Sequence, residues 1–203
     1  FLTYKDQPGA LGKVGVALSG GRDSVTLLHF DLTQVPSEAR VTEALLSLWV
    51  EQAQAVSAAN LSLYEMRRAW NADAATWLAA DLGVLWSSPG ASAPENDRAV
   101  ASLANVPLEQ AAGWVTVDVS KSAQAWVTRP ESNYGLMLLG TSAIPVQHRF
   151  STSEWVQPSF GPQLEVTFNP GSAPATPATP SASGTPSRTP TATATLITSS
   201  GSK

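Results

Sequence analysis

Few residues in this chain have types and spacings that could do chemistry. Ser19-Gly20-Gly21-Arg22-Asp23-Ser24 is a glycine loop whose backbone amides could approach a pyrophosphate, with Asp23 and Ser24 completing the cradle, if a helix opened at Ser24. Phe30-Asp31-Leu32 and Pro36 cut such a helix short, and no alternation of strands and helices follows. The plainer reading is a turn that leaves through Arg22, Asp23 and Ser24 into a strand. Glu65, Asp73, Asp81 and Asp118 carry no spacing that would set two carboxylates across a glycosidic bond, and Asp31 and Asp118 fall at strand ends, where turn hydrogen bonding is the ordinary use. His29 and His148 stand far apart, and the chain has no cysteine, so no metal site, thiol chemistry or disulfide is expected. Serines are plentiful, but none sits in a G-x-S-x-G elbow. The residues therefore name no catalytic group and no cofactor, and the chain reads as something other than an enzyme.

Seven tryptophans are the stronger chemical signal, because an exposed indole stacks on the apolar face of a sugar ring. Trp86 and Trp155 lie in irregular stretches and are the candidates for glycan stacking. Trp49 and Trp114 sit in strands and are expected in the core.

The elements that must position these residues are mostly strands. Alternating apolar and polar positions mark strands over residues 25–32, 40–50, 61–66, 113–119, 135–139 and 164–168, with Leu46, Leu48 and Val50 facing one way. Residues 36–38 read as a turn and residues 87–99 as the longest loop. Helix signals are confined to residues 119–127, with Val119, Ala123 and Trp126 on one side, and to one turn over residues 107–112. Many short strands separated by turns predict an all-β fold, a jelly-roll-like sandwich of two antiparallel sheets occupying residues 1–169.

From residue 170 the composition changes to Pro, Thr, Ser and Ala, with too little apolar surface to offset the entropy of ordering. Residues 170–190 read as an extended linker whose Thr176, Thr179, Thr185 and Thr189 are candidate O-glycosylation sites, together with Thr191 and Thr193 beyond it. At roughly 3.1 Å per residue, a spacer of about twenty residues crosses about 60 Å. Residues 191–203 lack proline and are β-prone, so that Thr193, Thr195, Leu196, Ile197 and Thr198 form a candidate strand for the sheet edge of a neighbouring subunit.

The net charge of −4 with scattered Lys and Arg excludes a nucleic-acid or anionic-membrane footprint, and no apolar run is long enough to insert in a membrane. No signal peptide is visible. A start at Phe1 suits a processed mature protein or an excised piece.

Two resemblances follow from these residues. Residues 16–28, through Ser19 to Ser24, resemble the SGGxDS loop of the adenylating ATP pyrophosphatases, which implies a nucleotide binder and is the remote alternative. Over residues 10–169 the ordered landmarks resemble the DNRLRE family. These are Leu27-Leu28-His29-Phe30-Asp31-Leu32, Val35-Pro36, residues 44–50, Tyr64 to Trp70, Ala75-Thr76-Trp77, residues 114–119, Trp126, Asn133-Tyr134-Gly135-Leu136, and Ser151 to Glu154 with Pro162-Gln163-Leu164-Glu165-Val166. His29 stands where that family commonly has Arg, and the loop after Trp77 lacks its usual asparagine. The resemblance implies a non-catalytic, extracellular, jelly-roll-like sandwich of the carbohydrate-binding-module kind, from a prokaryotic cell surface, with Trp70, Trp77 and Trp126 in structural roles. The expected function is a self-associating filament or sheath subunit that makes a homo-polymer by head-to-tail contacts through its tail. The alternative is a carbohydrate-binding or adhesive module tethered to a larger secreted enzyme, with a polysaccharide as partner.

Overall fold

The computed structural model describes residues 14–17, 25–51, 59–108, 112–142, 147–151 and 160–170. Their strands, in chain order, are β1 (Val14–Ala17), β2 (Val25–Leu28), β3 (Arg40–Val50), β4 (Ala59–Glu65), β5 (Ala79–Asp81), β6 (Val84–Leu85), β7 (Ala104–Leu108), β8 (Gly113–Asp118), β9 (Leu136–Ser142), β10 (Gln147–Phe150) and β11 (Gln163–Asn169). One α-helix, α1 (Ser120–Thr128), follows β8, with a single turn of 3-10 helix at Pro130–Ser132 after it. A first sheet runs β1-β10-β3-β11 with β8 also paired to β3; a second runs β2-β9-β4-β7; β5 and β6 form a separate hairpin. All the strand pairs are antiparallel, as expected for a sandwich.

The period of two along β3 decides which side of the first sheet is wet. Ala44, Leu46, Leu48 and Val50 are buried, whereas Leu45, Ser47 and Trp49 between them are only half-buried. Val117 of β8 and Leu164, Val166 and Phe168 of β11 join the buried set, and Leu61, Leu63, Leu136 and Leu138 meet them from the second sheet. Each such Leu or Val taken fully out of water stabilises the sandwich by about 1.5–3 kcal/mol. Helix α1 closes one end with Ala123, Trp126 and Val127, and Gln124 stitches it to the start of β3 by accepting from Val41 N–H and donating to the Ala39 carbonyl.

The outer face of the second sheet is also covered. Residues 67–103 lie over it and enclose a smaller core of Val25, Leu27, Met66, Ala80, Trp86, Ala91 and Met137, with Tyr64, Trp70, Trp77 and Tyr134 packed against it. This is why all four residues of β2 are buried. Asp97 organises the segment. Its fully buried carboxylate accepts N–H from Ser87 and Ser88 at 3.0 Å each and from Ala93 at 3.3 Å, and lies 3.6 Å from the Arg68 guanidinium. Glycine is required at Gly90, whose α-carbon rests on the Trp77 indole; an added Cβ would stand 2.5 Å from the ring.

Gly135 enters β9 at φ +82°, and a Cβ there would strike the carbonyl oxygen of Leu28. Backbone on the second sheet cannot move aside cheaply. Gly135→Ala is expected to cost at least about 2 kcal/mol, combining left-handed strain with the clash. Urea unfolding would show it as a lowered midpoint at unchanged slope.

Three expectations are corrected. The strand expected over residues 25–32 ends at Leu28, because Asp31 accepts Thr33 N–H and the Val35 N–H to Leu32 carbonyl bond turns the chain, although Phe30, Leu32 and Val35 still plug the core. The turn of helix expected from residue 107 is instead the end of strand β7, whose Pro107 is tolerated because β7 is an edge strand. The core placement expected for Trp49 and Trp114 also fails, since both project from the outer face of the first sheet.

Candidate functional site

Because residues 67–103 cover the second sheet, the first sheet carries the sandwich's open broad face among the described residues. Its outward residues follow from strand register. Trp49 of β3 lies opposite Trp114 of β8, Ser47 opposite Thr116, and Leu45 opposite Asp118. On the other side of β3, Gln163 of β11 lies opposite Ser47, Glu165 opposite Leu45, and Thr167 opposite Glu43. These residues therefore form successive rows, two residues or about 7 Å apart along the strands.

The first row is aromatic. Trp114 packs edge-on against Trp49 with ring centroids 5.4 Å apart, and Phe160, just before β11, lies 4.7 Å from Trp49 and 6.2 Å from Trp114, within 25° of parallel to the latter. Trp49 is half-buried beneath its neighbours, while Trp114 is 43 % exposed, an unusual state for so large an apolar group on a strand. Its position is fixed by the β3 ladder and by the flanking rings, so its exposed surface is held ready rather than flexible. The second row offers hydroxyls and an amide, with Ser47 and Thr116 joined through their hydroxyls at 3.2 Å and Gln163 beside them. The third row, about 13 Å from the aromatic one, places Glu165 and Asp118 on either side of Leu45.

Asp118 is held in place from behind. Its carboxylate accepts both the hydroxyl and the backbone N–H of Ser120 at the start of α1, and these bonds, with a smaller contribution from the Lys121 charge, lower its pKa below the ordinary carboxylate value. Asp31 is lowered in the same way, chiefly by the Thr33 backbone N–H. Both groups have folded pKa values below their unfolded ones, so each contributes stability that is present above the unfolded pKa and lost as pH falls through the folded one. Unfolding midpoints are therefore expected to decline below about pH 4 as these carboxylates take up protons, and Asp118→Asn should shrink part of that decline in a thermal pH series.

An outward face with stacked rings at one end and hydrogen-bonding groups at the other suits a ligand that alternates apolar faces with hydroxyls. Carbohydrate-binding module family 96 matches residues 6–168. The chain belongs to that family. A comparison with curated proteins gave no match. The family is one of binding modules, in keeping with a chain whose residues name no catalytic group. The matched family is a carbohydrate-binding module, the kind that the resemblance to the DNRLRE family implied.

Family 96 membership makes the placement of each tryptophan informative. Trp86, expected to be exposed for stacking, is buried at 6 %, with its indole N–H donated to the Thr76 carbonyl and Arg68 over its ring. Its irregular stretch is folded under by Asp97, which is why loop position misled. Trp70 donates to the Tyr134 carbonyl and Trp126 is core, both structural as the resemblance implied. Trp155 lies outside the described residues, as do Ser19 to Ser24, the side chain of His148, the candidate glycosylation sites Thr176, Thr179, Thr185, Thr189, Thr191 and Thr193, and the candidate contact strand from Thr193 to Thr198. Directly after Ser24 the chain is strand β2 rather than the helix that a pyrophosphate loop requires. Among the described residues no group of three or more His, Asp or Glu is placed to hold a metal ion, and no helix is long and apolar enough to cross a membrane.

Proposed function

We propose that this module binds polysaccharide on the outer face of its first sheet, with the Trp49, Trp114 and Phe160 platform stacking on a sugar ring and the rows beyond it hydrogen-bonding the following units. The observation that carries the reading is Trp114, 43 % exposed and braced by two rings, on the open broad face of a family 96 sandwich. Stacking supplies affinity without requiring charge, which suits a chain of net charge −4. The family favours the tethered binding module over the filament subunit, since a binding module needs no self-contact to act. In this reading the Thr/Pro-rich residues 170–190 are a spacer, stiff enough to hold the module away from a partner domain. The setting is extracellular or at a prokaryotic cell surface, where polysaccharide is met.

Affinity electrophoresis through gels cast with soluble polysaccharides, followed by calorimetry on those that retard the protein, tests the reading. Retardation that Trp114→Ala abolishes is the expected result. Retardation that is indifferent to Trp114 would move the site elsewhere.

A further inference from the structure

Four of the seven large apolar side chains that stand exposed among the described residues belong to one short hairpin. Leu78 leads into β5, Leu82 forms the turn with Gly83, and Val84 and Leu85 make up β6; their exposures run from 44 % to 86 %. Surface leucines scattered singly need no explanation, but four such residues within one folded hairpin mark a contact surface. The hairpin is held from beneath. Trp86 donates its backbone N–H to the Leu78 carbonyl and its indole N–H to the Thr76 carbonyl, Arg68 donates to the Leu85 carbonyl, and Asn71 donates to the Asp81 carboxylate. The charge around the apolar residues is negative, since residues 69–86 hold Asp73 and Asp81 and no Lys or Arg. The guanidinium groups of the same segment are engaged, Arg68 with Asp97, Arg67 with Glu65 and Arg98 over the Tyr64 ring. The hairpin of a second copy would therefore bring like charges together, and the fitting occupant is an apolar segment flanked by cations.

The chain's own tail has that chemistry. Residues 170–203 contain two large apolar side chains, Leu196 and Ile197, and two charges, Arg188 and Lys203, both cationic and one on either side of the apolar pair. Strand β11 also ends where the hairpin segment begins. Its last residue, Asn169, lies opposite Arg40 at the start of β3, next to the Val41 N–H that Gln124 of α1 accepts. On the same helix Ser122 donates to Glu65 at the end of β4, from which the segment carrying the hairpin departs. A flexible chain the length of residues 170–195 averages about 28 Å end to end, enough to cross two layers of about 10 Å each. Ser181-Ala182-Ser183-Gly184 interrupts the prolines and lets the chain turn back. We propose that Leu196 and Ile197 dock on Leu78, Leu82, Val84 and Leu85 of the same chain, with Arg188 and Lys203 complementing Asp73 and Asp81. The tail of the same chain outcompetes a neighbour's, because a linker whose average length matches the span presents it at an effective concentration on the order of millimolar. Docking folds the spacer back and shortens its reach; release leaves it extended. The hairpin lies over the second sheet, so the docked tail leaves the Trp114 platform open, and the proposal stands independently of the polysaccharide reading.

The chain has no cysteine, so Ser200→Cys in the full chain carries a single nitroxide label, whose line broadening is read on the assigned backbone amide signals of the 15N-labelled protein. Broadening of residues 78–85 is expected, with Trp114 and Thr116 on the first sheet's outer face left sharp. Leu196→Ser in the tail and Leu85→Ser on the hairpin are each expected to lower the ratio of docked to free tail at least about tenfold, the effect of losing one buried leucine, and so to remove the broadening. Leu85 is already 68 % exposed, so its replacement leaves the fold intact. A mixture of 15N-labelled chains without nitroxide and nitroxide-labelled chains without 15N should show no broadening of the hairpin. Hairpin broadening in the mixture as strong as in the doubly labelled chain would assign the contact to the tail of a second copy and overturn the proposal. Hairpin signals that stay sharp in the doubly labelled chain would overturn it as well, as would broadening that survives both serine variants.

Discussion

Trp114→Ala is expected to lower affinity for the bound polysaccharide by about thirtyfold, the effect of losing a residue worth about 2 kcal/mol at the centre of an interface, while the fold stays intact. The fold survives because Trp114 is already 43 % exposed and its contact with Trp49 contributes only about 0.5–1.5 kcal/mol. Trp114→Phe should recover part of the affinity, since a smaller ring still stacks. Val100→Ala, on the segment over the other sheet and also exposed, serves as the control and should bind as the wild type does. Calorimetric titration of the three variants, with melting curves on the same samples, checks both halves of the expectation.

Asp97→Ala is expected to be the most damaging single change in the described residues, costing about 3–5 kcal/mol. Its carboxylate is fully buried and collects three backbone N–H groups from residues 87–93 as well as the Arg68 guanidinium. Removing it leaves a charged group and several donors without their acceptor in an enclosed place, and breaking one side of a buried pair has that order of cost. Asp97→Asn should fall between, because its amide oxygen can keep some of the N–H bonds but not the charge. Urea unfolding with tryptophan emission would report it. Trp86 and Trp77 sit in the core that Asp97 closes, so their emission should shift to the red before the main sandwich unfolds.

Much of the fold was legible because alternation on a sheet is a strong code. Strand β3 over residues 40–50 and the sandwich class followed from it directly, and α1 differs from its expected span by one residue at each end. The site was legible by the same rule and was missed by weighting residue type over position. If Leu46, Leu48 and Val50 face the core, Trp49 cannot, and Trp114 shares its face with Thr116 and Asp118. Trp86 failed for the opposite reason. An irregular stretch gives no periodicity, and the burial of residues 86–99 is produced by Asp97 reaching across the loop, a long-range contact with no local signature. The short strands β1, β7 and β10 escaped because four or five residues carry too little pattern to separate strand from turn.

The central claim is that polysaccharide rests on Trp114 and Trp49, and indole N–H resonances of the uniformly 15N-labelled protein test it most directly. The seven indoles carry their own controls, since those of Trp70 and Trp86 are tied to the Tyr134 and Thr76 carbonyls away from the first sheet's outer face. Titration with a polymer that retards the protein should shift or broaden the Trp114 and Trp49 signals, assigned by substitution, and leave those of Trp70 and Trp86 in place. Unmoved Trp114 and Trp49 signals at saturating polymer would contradict the account.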